Sequence, residues 1–165
     1  MKTGKIIALC TSPRGGVPKY RVPDVYVAEH GFDGDYHCKP ERRSFSKPGT
    51  FKPNTDRHVT IVAQEAIEAV NAKLGLSLGP GALGENILTS GLGDLSDVAD
   101  GAVVTIKSVT GSVMLKVVEQ NQPCKNLAPY HPLMLKEIYG RRGLLCAVTS
   151  GVGHMIVSGT EISIG

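Results

Sequence analysis

The chain has 165 residues, 41% of them hydrophobic, with 18 Lys and Arg against 15 Asp and Glu and a formal charge of +3. This is enough for one proper core, which excludes a disordered chain and makes a single domain over residues 1–165 the expectation. No apolar run is long enough to span a bilayer, and the modest charge, with no Trp, 3 Phe and 5 Tyr, disfavours nucleic acid while leaving room for a small phosphate-bearing partner.

The N-terminal Met1-Lys2-Thr3-Gly4-Lys5 lacks the apolar stretch of a secretory signal, so a cytoplasmic location is expected. Strands are predicted at 4–10 and at Asp24–Ala28, where short Val- and Ile-containing runs are bounded by turn residues. Residues 31–57 break this pattern, being rich in Gly, Pro and polar residues without periodicity. A segment of that length reads as a functional or mobile loop. It holds Lys39, Arg42, Arg43, Lys47, Lys52 and Arg57 against Asp33, Asp35, Glu41 and Asp56, a modest basic excess.

A strand is predicted at 58–62, followed by a helix over Gln64–Leu74 with Ile67, Val70 and Leu74 on one face. Gly75 supplies its left-handed C-terminal cap, and the helix should pack across the barrel. Further strands are predicted at 102–108, 113–119, 144–149, 154–157 and 160–164, with turns at Asp100-Gly101 and Ser158-Gly159 feeding two of them. A second helix is predicted at 132–139, with Pro132 in its first turn and Gly140 after its end. Many short strands and few helices predict a mainly β fold, a closed or nearly closed antiparallel β-barrel.

Cysteine usage narrows the chemistry. Cys10, Cys38, Cys124 and Cys146 form no C-x-x-C pair, so neither a zinc ribbon nor a disulfide framework is indicated. Cys10 and Cys146 lie in apolar runs and read as core filler. Cys124, in Asn121-Gln122-Pro123-Cys124-Lys125, lies behind a proline at a strand end and is expected to be presented. Its thiolate would be both a nucleophile and a soft metal ligand. His131 is close in sequence, but proximity does not show that its ring faces the sulfur.

Other groups join it as candidates. Asp35 and His37 sit in the tight turn Gly34-Asp35-Tyr36-His37, which is equally compatible with an Asx-capped turn. Arg57 and His58 open a strand, so the guanidinium could reach an anion while the ring is held at the barrel rim. Glu85 and Asn86 follow the glycine-rich Gly81-Ala82-Leu83-Gly84, where Asn86 suits either a ligand's polar edge or buried backbone groups. Of Arg141 and Arg142, compensation of a helix end accounts for one and leaves the other without a structural reason.

These motifs in order, with Gly91-Leu92, Asp94-Leu95, Asp100-Gly101 and Pro123-Cys124, resemble the MOSC domain, the module named for the C-terminal part of molybdenum cofactor sulfurases. The resemblance covers nearly the whole chain and is closest to the small stand-alone bacterial members. It implies a β-barrel, binding of the molybdenum cofactor (molybdopterin), and an essential cysteine, Cys124, that carries sulfur or ligates the metal. It also implies cofactor contacts at Arg57, His58, Glu85, Asn86, Lys125, Arg142, Asp35 and His37. One departure is that the family often has an arginine beside the Pro-Cys pair, whereas Asn121, Gln122 and Lys125 flank it here.

Two activities are compatible with the resemblance. One is a sulfur carrier or sulfurtransferase supplied by a sulfur-donor protein. The other is a molybdenum-dependent reductase of small N-hydroxylated or oxidised compounds, supplied by an electron-donor protein. Pyridoxal phosphate binding is associated with the wider family, but the chain has no aminotransferase-like domain and no lysine in a Schiff-base setting. A non-catalytic barrel that binds an anion or nucleic acid is the reading of a different class. The oligomeric state is not legible.

Overall fold

A computed structural model describes residues 1–165. The chain begins with β1 (Lys2–Thr11), β2 (Tyr20–Val22), β3 (Asp24–Ala28), β4 (Gly31–Phe32), β5 (Glu41–Arg43) and β6 (Phe51–Pro53). It continues through β7 (Val59–Ala63), α1 (Gln64–Leu74), β8 (Ile87–Ser90), β9 (Val103–Lys107) and β10 (Ser112–Gln120). A 3-10 helix at Lys125–Tyr130 then leads to α2 (Met134–Ile138), β11 (Leu144–Ser150), β12 (Met155–Val157) and β13 (Glu161–Ile164).

Seven strands close into a barrel in the order β1, β8, β7, β11, β10, β9, β13, with β13 returning to β1 at Lys2↔Ile164 and Gly4↔Ile162. Side-chain alternation on the pleated strands sorts the apolar residues into two cores. Ile6, Ile61, Ile106, Leu115, Leu144 and Ile162 belong to one cluster, and Val62, Ile67, Val70, Leu88, Met134 and Ile138 to the other, which includes both helices. Every residue of β7 is buried, because neighbouring residues Ile61 and Val62 belong to different clusters. Closure leaves the barrel strands without a long open edge.

The closed, mainly β barrel agrees with the sequence reading, with one exception in strand direction. β7 and β8 run parallel, in register at Ile61↔Ile87 and Val62↔Leu88. Parallel neighbours need a long crossover connection, and the segment containing α1 supplies it. The α1 helix ends at Gly75 in the left-handed conformation, φ 67°, ψ 33°. Gly101 and Gly159 also have positive φ, each shortly before a barrel strand.

Elsewhere the structure departs from expectation. The second helix is shorter than predicted, Met134–Ile138, because Leu133 caps it at φ −97°, ψ 5° and Tyr139 leaves it at φ −53°, ψ 131°. Residues 31–57 are not a plain loop: they contain β4 and the hairpin β5–β6, paired at Arg42↔Lys52. Asn54 organises that hairpin's base. Its amide nitrogen donates to the carbonyls of His37, Lys39 and Arg57, and its oxygen accepts the Arg57 N–H. A side chain that substitutes for a backbone ladder leaves no periodicity to read. No helix is long and apolar enough to cross a membrane.

Candidate functional site

A cavity of about 420 Å³ opens at one rim of the barrel. It forms where β10 ends, β11 begins, and the β1–β2 and α1–β8 connections meet the β5–β6 hairpin. Cys124, Lys125, Arg57, Arg142 and His37 all contribute to its wall, so five of the sequence candidates converge there. Cys124 is extended, φ −129°, ψ 163°, just before the 3-10 helix, and its carbonyl accepts the Leu127 N–H. Its side chain is partly exposed, as expected of a presented thiol, and it forms no disulfide.

The two arginines define the electrostatics. Arg142 is only 8% exposed and has no carboxylate partner; its guanidinium donates to the carbonyls of Gln122 (2.7 Å) and Leu83 (3.3 Å). Its Nε is buried without a hydrogen-bond partner. Arg57 has a similarly unpartnered Nε and reaches a carboxylate only at the limit of an ion pair, 4.0 Å from Glu119. Arg142 is tied to the Pro-Cys segment, since it bonds the carbonyl of Gln122, the residue before Pro123. A buried and a half-buried cation left this open favour an anion in the cavity.

His37 is held from behind by a buried ion pair. Lys19, whose side chain is fully buried, donates to Asp35 Oδ2 at 2.9 Å and to His37 Nδ1 at 3.0 Å. Burial and the adjacent Lys19 hold the imidazole pKa down to about 4. With Nδ1 accepting, the ring proton resides on Nε2, so His37 is a neutral donor of defined tautomer. Burial also lowers the Lys19 pKa against the opposing pull of Asp35.

Four other candidates, Asp35, His58, Glu85 and Asn86, lie outside the cavity wall and are engaged by partners within the protein. Asp35 is occupied by Lys19 and by the N–H groups of Ser12 and His37. His58 accepts the Val148 N–H on Nδ1 and donates from Nε2 to the Asn54 carbonyl, and its burial lowers its pKa. Glu85 is fully buried, its oxygens accepting the N–H groups of Gly81 and Leu83, and burial raises its pKa. Asn86 bridges strands, donating to the Cys10 carbonyl and accepting from Thr60. These groups shape the walls from behind.

His131 is likewise not part of the wall, and its Nδ1 accepts the Leu133 N–H, so it provides no paired base for the thiol. Cys10 and Cys146 are buried, and burial pushes both thiols up to about 12, as fits core filler. Sequence reading missed Lys19, Phe45 and Glu119. In sequence Lys19 looks like any surface lysine; nothing but its burial marks it.

A seven-stranded barrel with a thiol and two under-neutralised guanidiniums at its rim defines the chain as a small thiol-bearing β-barrel. A family model for the MOSC domain matches residues 33–161, and the chain belongs to that family, which is generally associated with the molybdenum cofactor. Its fold is shared with crystal structures of the YuaD protein from Bacillus subtilis (TM-score 0.85, 23% identity, 98% of this chain and 95% of that one) and of YiiM from Geobacillus stearothermophilus (0.69, 20%, 98% and 75%). YiiM from Escherichia coli is similar too (0.65, 16%, 98% and 69%). No curated protein matches the chain in sequence.

Proposed function

We propose that the protein binds the molybdenum cofactor and reduces small N-hydroxylated or otherwise oxidised compounds, with Cys124 as the protein's ligand to the metal. The observation that carries this reading is Arg142, a buried guanidinium without a carboxylate partner on the same cavity wall as the thiol. A terminal phosphate held by Arg142 and Arg57 would offset the cost of leaving those charges under-neutralised.

The donor set fits such a cofactor. No group of three or more His, Cys, Asp or Glu side chains is arranged to hold a bare metal ion, so a metal here must bring most of its own ligands and take one thiolate from the protein. A pterin dithiolene with a phosphate tail has that character. When bound, it supplies the redox chemistry that passes two electrons to substrate, drawn from an electron-donor protein. The side-chain amides of Asn121 and Asn126 offer donors and acceptors to a heterocycle, and neutral His37 offers its Nε2–H to an oxygen acceptor. Lys125 adds a cation at the mouth.

The test is elemental and pterin analysis of protein made in cells that synthesise the cofactor, comparing wild type with Cys124→Ser and Arg142→Gln. Near-stoichiometric molybdenum and pterin are expected in wild type, with molybdenum and reductase activity lost in Cys124→Ser and pterin reduced in Arg142→Gln. Wild-type protein free of both would sink the cofactor reading.

A second reading, sulfur carriage, is supported by the partly exposed position of Cys124 between exposed Gln122 and Lys125, which a sulfur-donor protein could approach. The thiolate would attack the outer sulfur of the donor's persulfide, forming a new S–S bond as the old one breaks and the donor thiolate leaves. Intact-mass analysis after incubation with a persulfidated donor would show one added sulfur in wild type and none in Cys124→Ser.

A further inference from the structure

A second cavity, of about 400 Å³, lies between the β5–β6 hairpin and the 36–39 segment and shares His37, Phe45 and Arg57 with the Cys124 cavity. That volume is in the range of small-molecule sites. Its walls combine aromatic faces from Tyr36, Phe45 and Phe51 with a surplus of cations. Phe45 and Phe51 are 74% and 64% exposed; arginines stand over the Phe45 ring, whereas no cation covers the ring of Phe51.

Not every cation is free. Arg42 is neutralised by a two-pronged bond to Asp56, at 2.8 and 2.7 Å. Arg43 makes no side-chain hydrogen bond or ion pair, whereas Lys39 stands over Tyr36 at 3.5 Å from the ring centre and Arg57 over Phe45 at 5.0 Å. With Arg57 shared with the Cys124 cavity, Lys39 and Arg43 against the single carboxylate of Glu41 leave a net charge of +1 that belongs to this cavity alone, two minus one. A phosphate monoester carries about −1.5 to −2 at neutral pH and three acceptor oxygens, enough to engage Lys39 and Arg43 together.

We propose that this cavity is a separate subsite for a nucleoside monophosphate, an aromatic base joined through a sugar to a phosphate monoester. The ring packs among Tyr36, Phe45 and Phe51, and the phosphate meets Arg43 and Lys39. Stacking on aromatic faces tolerates any base, so the subsite selects an aromatic phosphate rather than one nucleobase. Through Arg57 its occupant would border whatever fills the Cys124 cavity. The assignment is independent of the cofactor's identity.

The test is calorimetric titration of the full chain with AMP, adenosine and inorganic phosphate, repeated in Arg43→Ala, Phe51→Ala and Cys124→Ser. Arg43 and Phe51 are exposed, so their replacement leaves both cores intact. The expected result is that AMP binds at least tenfold more tightly than adenosine or phosphate alone. Its affinity should fall at least tenfold in Arg43→Ala and in Phe51→Ala and stay unchanged in Cys124→Ser. AMP binding no tighter than phosphate would overturn the proposal, as would affinity indifferent to both hairpin variants. Loss of binding in Cys124→Ser alone would assign AMP to the other cavity and also overturn it.

Discussion

Arg141 and Arg142 are adjacent in sequence and do different work. Arg141 donates to the Glu137 carbonyl at 3.0 Å, at the end of α2, while Arg142 turns inward to the cavity. The sequence reading accounted for one of the pair through the helix end, and burial explains the other. Cys124 shows the same division between packing and chemistry. Cys124→Ser should abolish activity while changing stability by under about 1 kcal/mol, as partly exposed positions do. Cys146→Ser places a hydroxyl in the core and should cost about 1–3 kcal/mol. Thermal unfolding of the two variants checks the contrast.

His37 makes a prediction about pH. Its folded pKa of about 4 lies below the usual 6.5, so between those values the unfolded state binds a proton that the native state refuses. Stability should therefore be intact above pH 6.5 and fall as pH drops from 6.5 toward 4. Buried His58, also lowered, acts in the same direction. Urea midpoints measured across this window should fall less steeply in His37→Gln than in wild type, and identical slopes would contradict the lowered His37 pKa.

Elements differ in how they are held. The α1 helix carries its own signals, an apolar face and Gly75, so it was legible to the residue. By contrast, β8 is four residues long and is defined by the parallel neighbour that α1 and the following loop deliver it to. The β5–β6 hairpin is more dependent still, being organised at its base by Asn54 and the Arg42–Asp56 pair. Asn54→Ala leaves three carbonyls and one N–H to find new partners, at a cost of about 1–3 kcal/mol. Hydrogen exchange should quicken through residues 41–53 while α1 stays protected. Unchanged protection in the hairpin would transfer its anchoring to Arg42–Asp56.

At the level of the molecule, barrel closure sets the site. β13 completes the ring between β9 and β1 and contributes Ile162 and Ile164 to the interior cluster. Deleting residues 160–165 should remove about 3–6 kcal/mol of apolar burial, at about 1.5–3 kcal/mol for each of the two isoleucines. It also exposes two strand edges, which invites association. Loss of a cooperative unfolding transition and a shift to larger species than wild type in size-exclusion chromatography are expected; a truncated chain that still unfolds cooperatively would show the barrel tolerates opening.

By itself the sequence determined the β-rich class, the best helix, the core cysteines and the presented thiol, because periodicity, glycine caps and apolar runs are local properties. The ordered motifs also pointed to the family. Only the tertiary structure decided that Arg57, His37 and Arg142 line the same cavity as Cys124 while Asp35, His58, Glu85 and Asn86 are engaged outside its wall. It alone made Lys19 a buried partner. The reason is physical: a side chain's role depends on whether its charge and hydrogen bonds are satisfied by protein or left open to a cavity, and distant strands brought together by closure settle that.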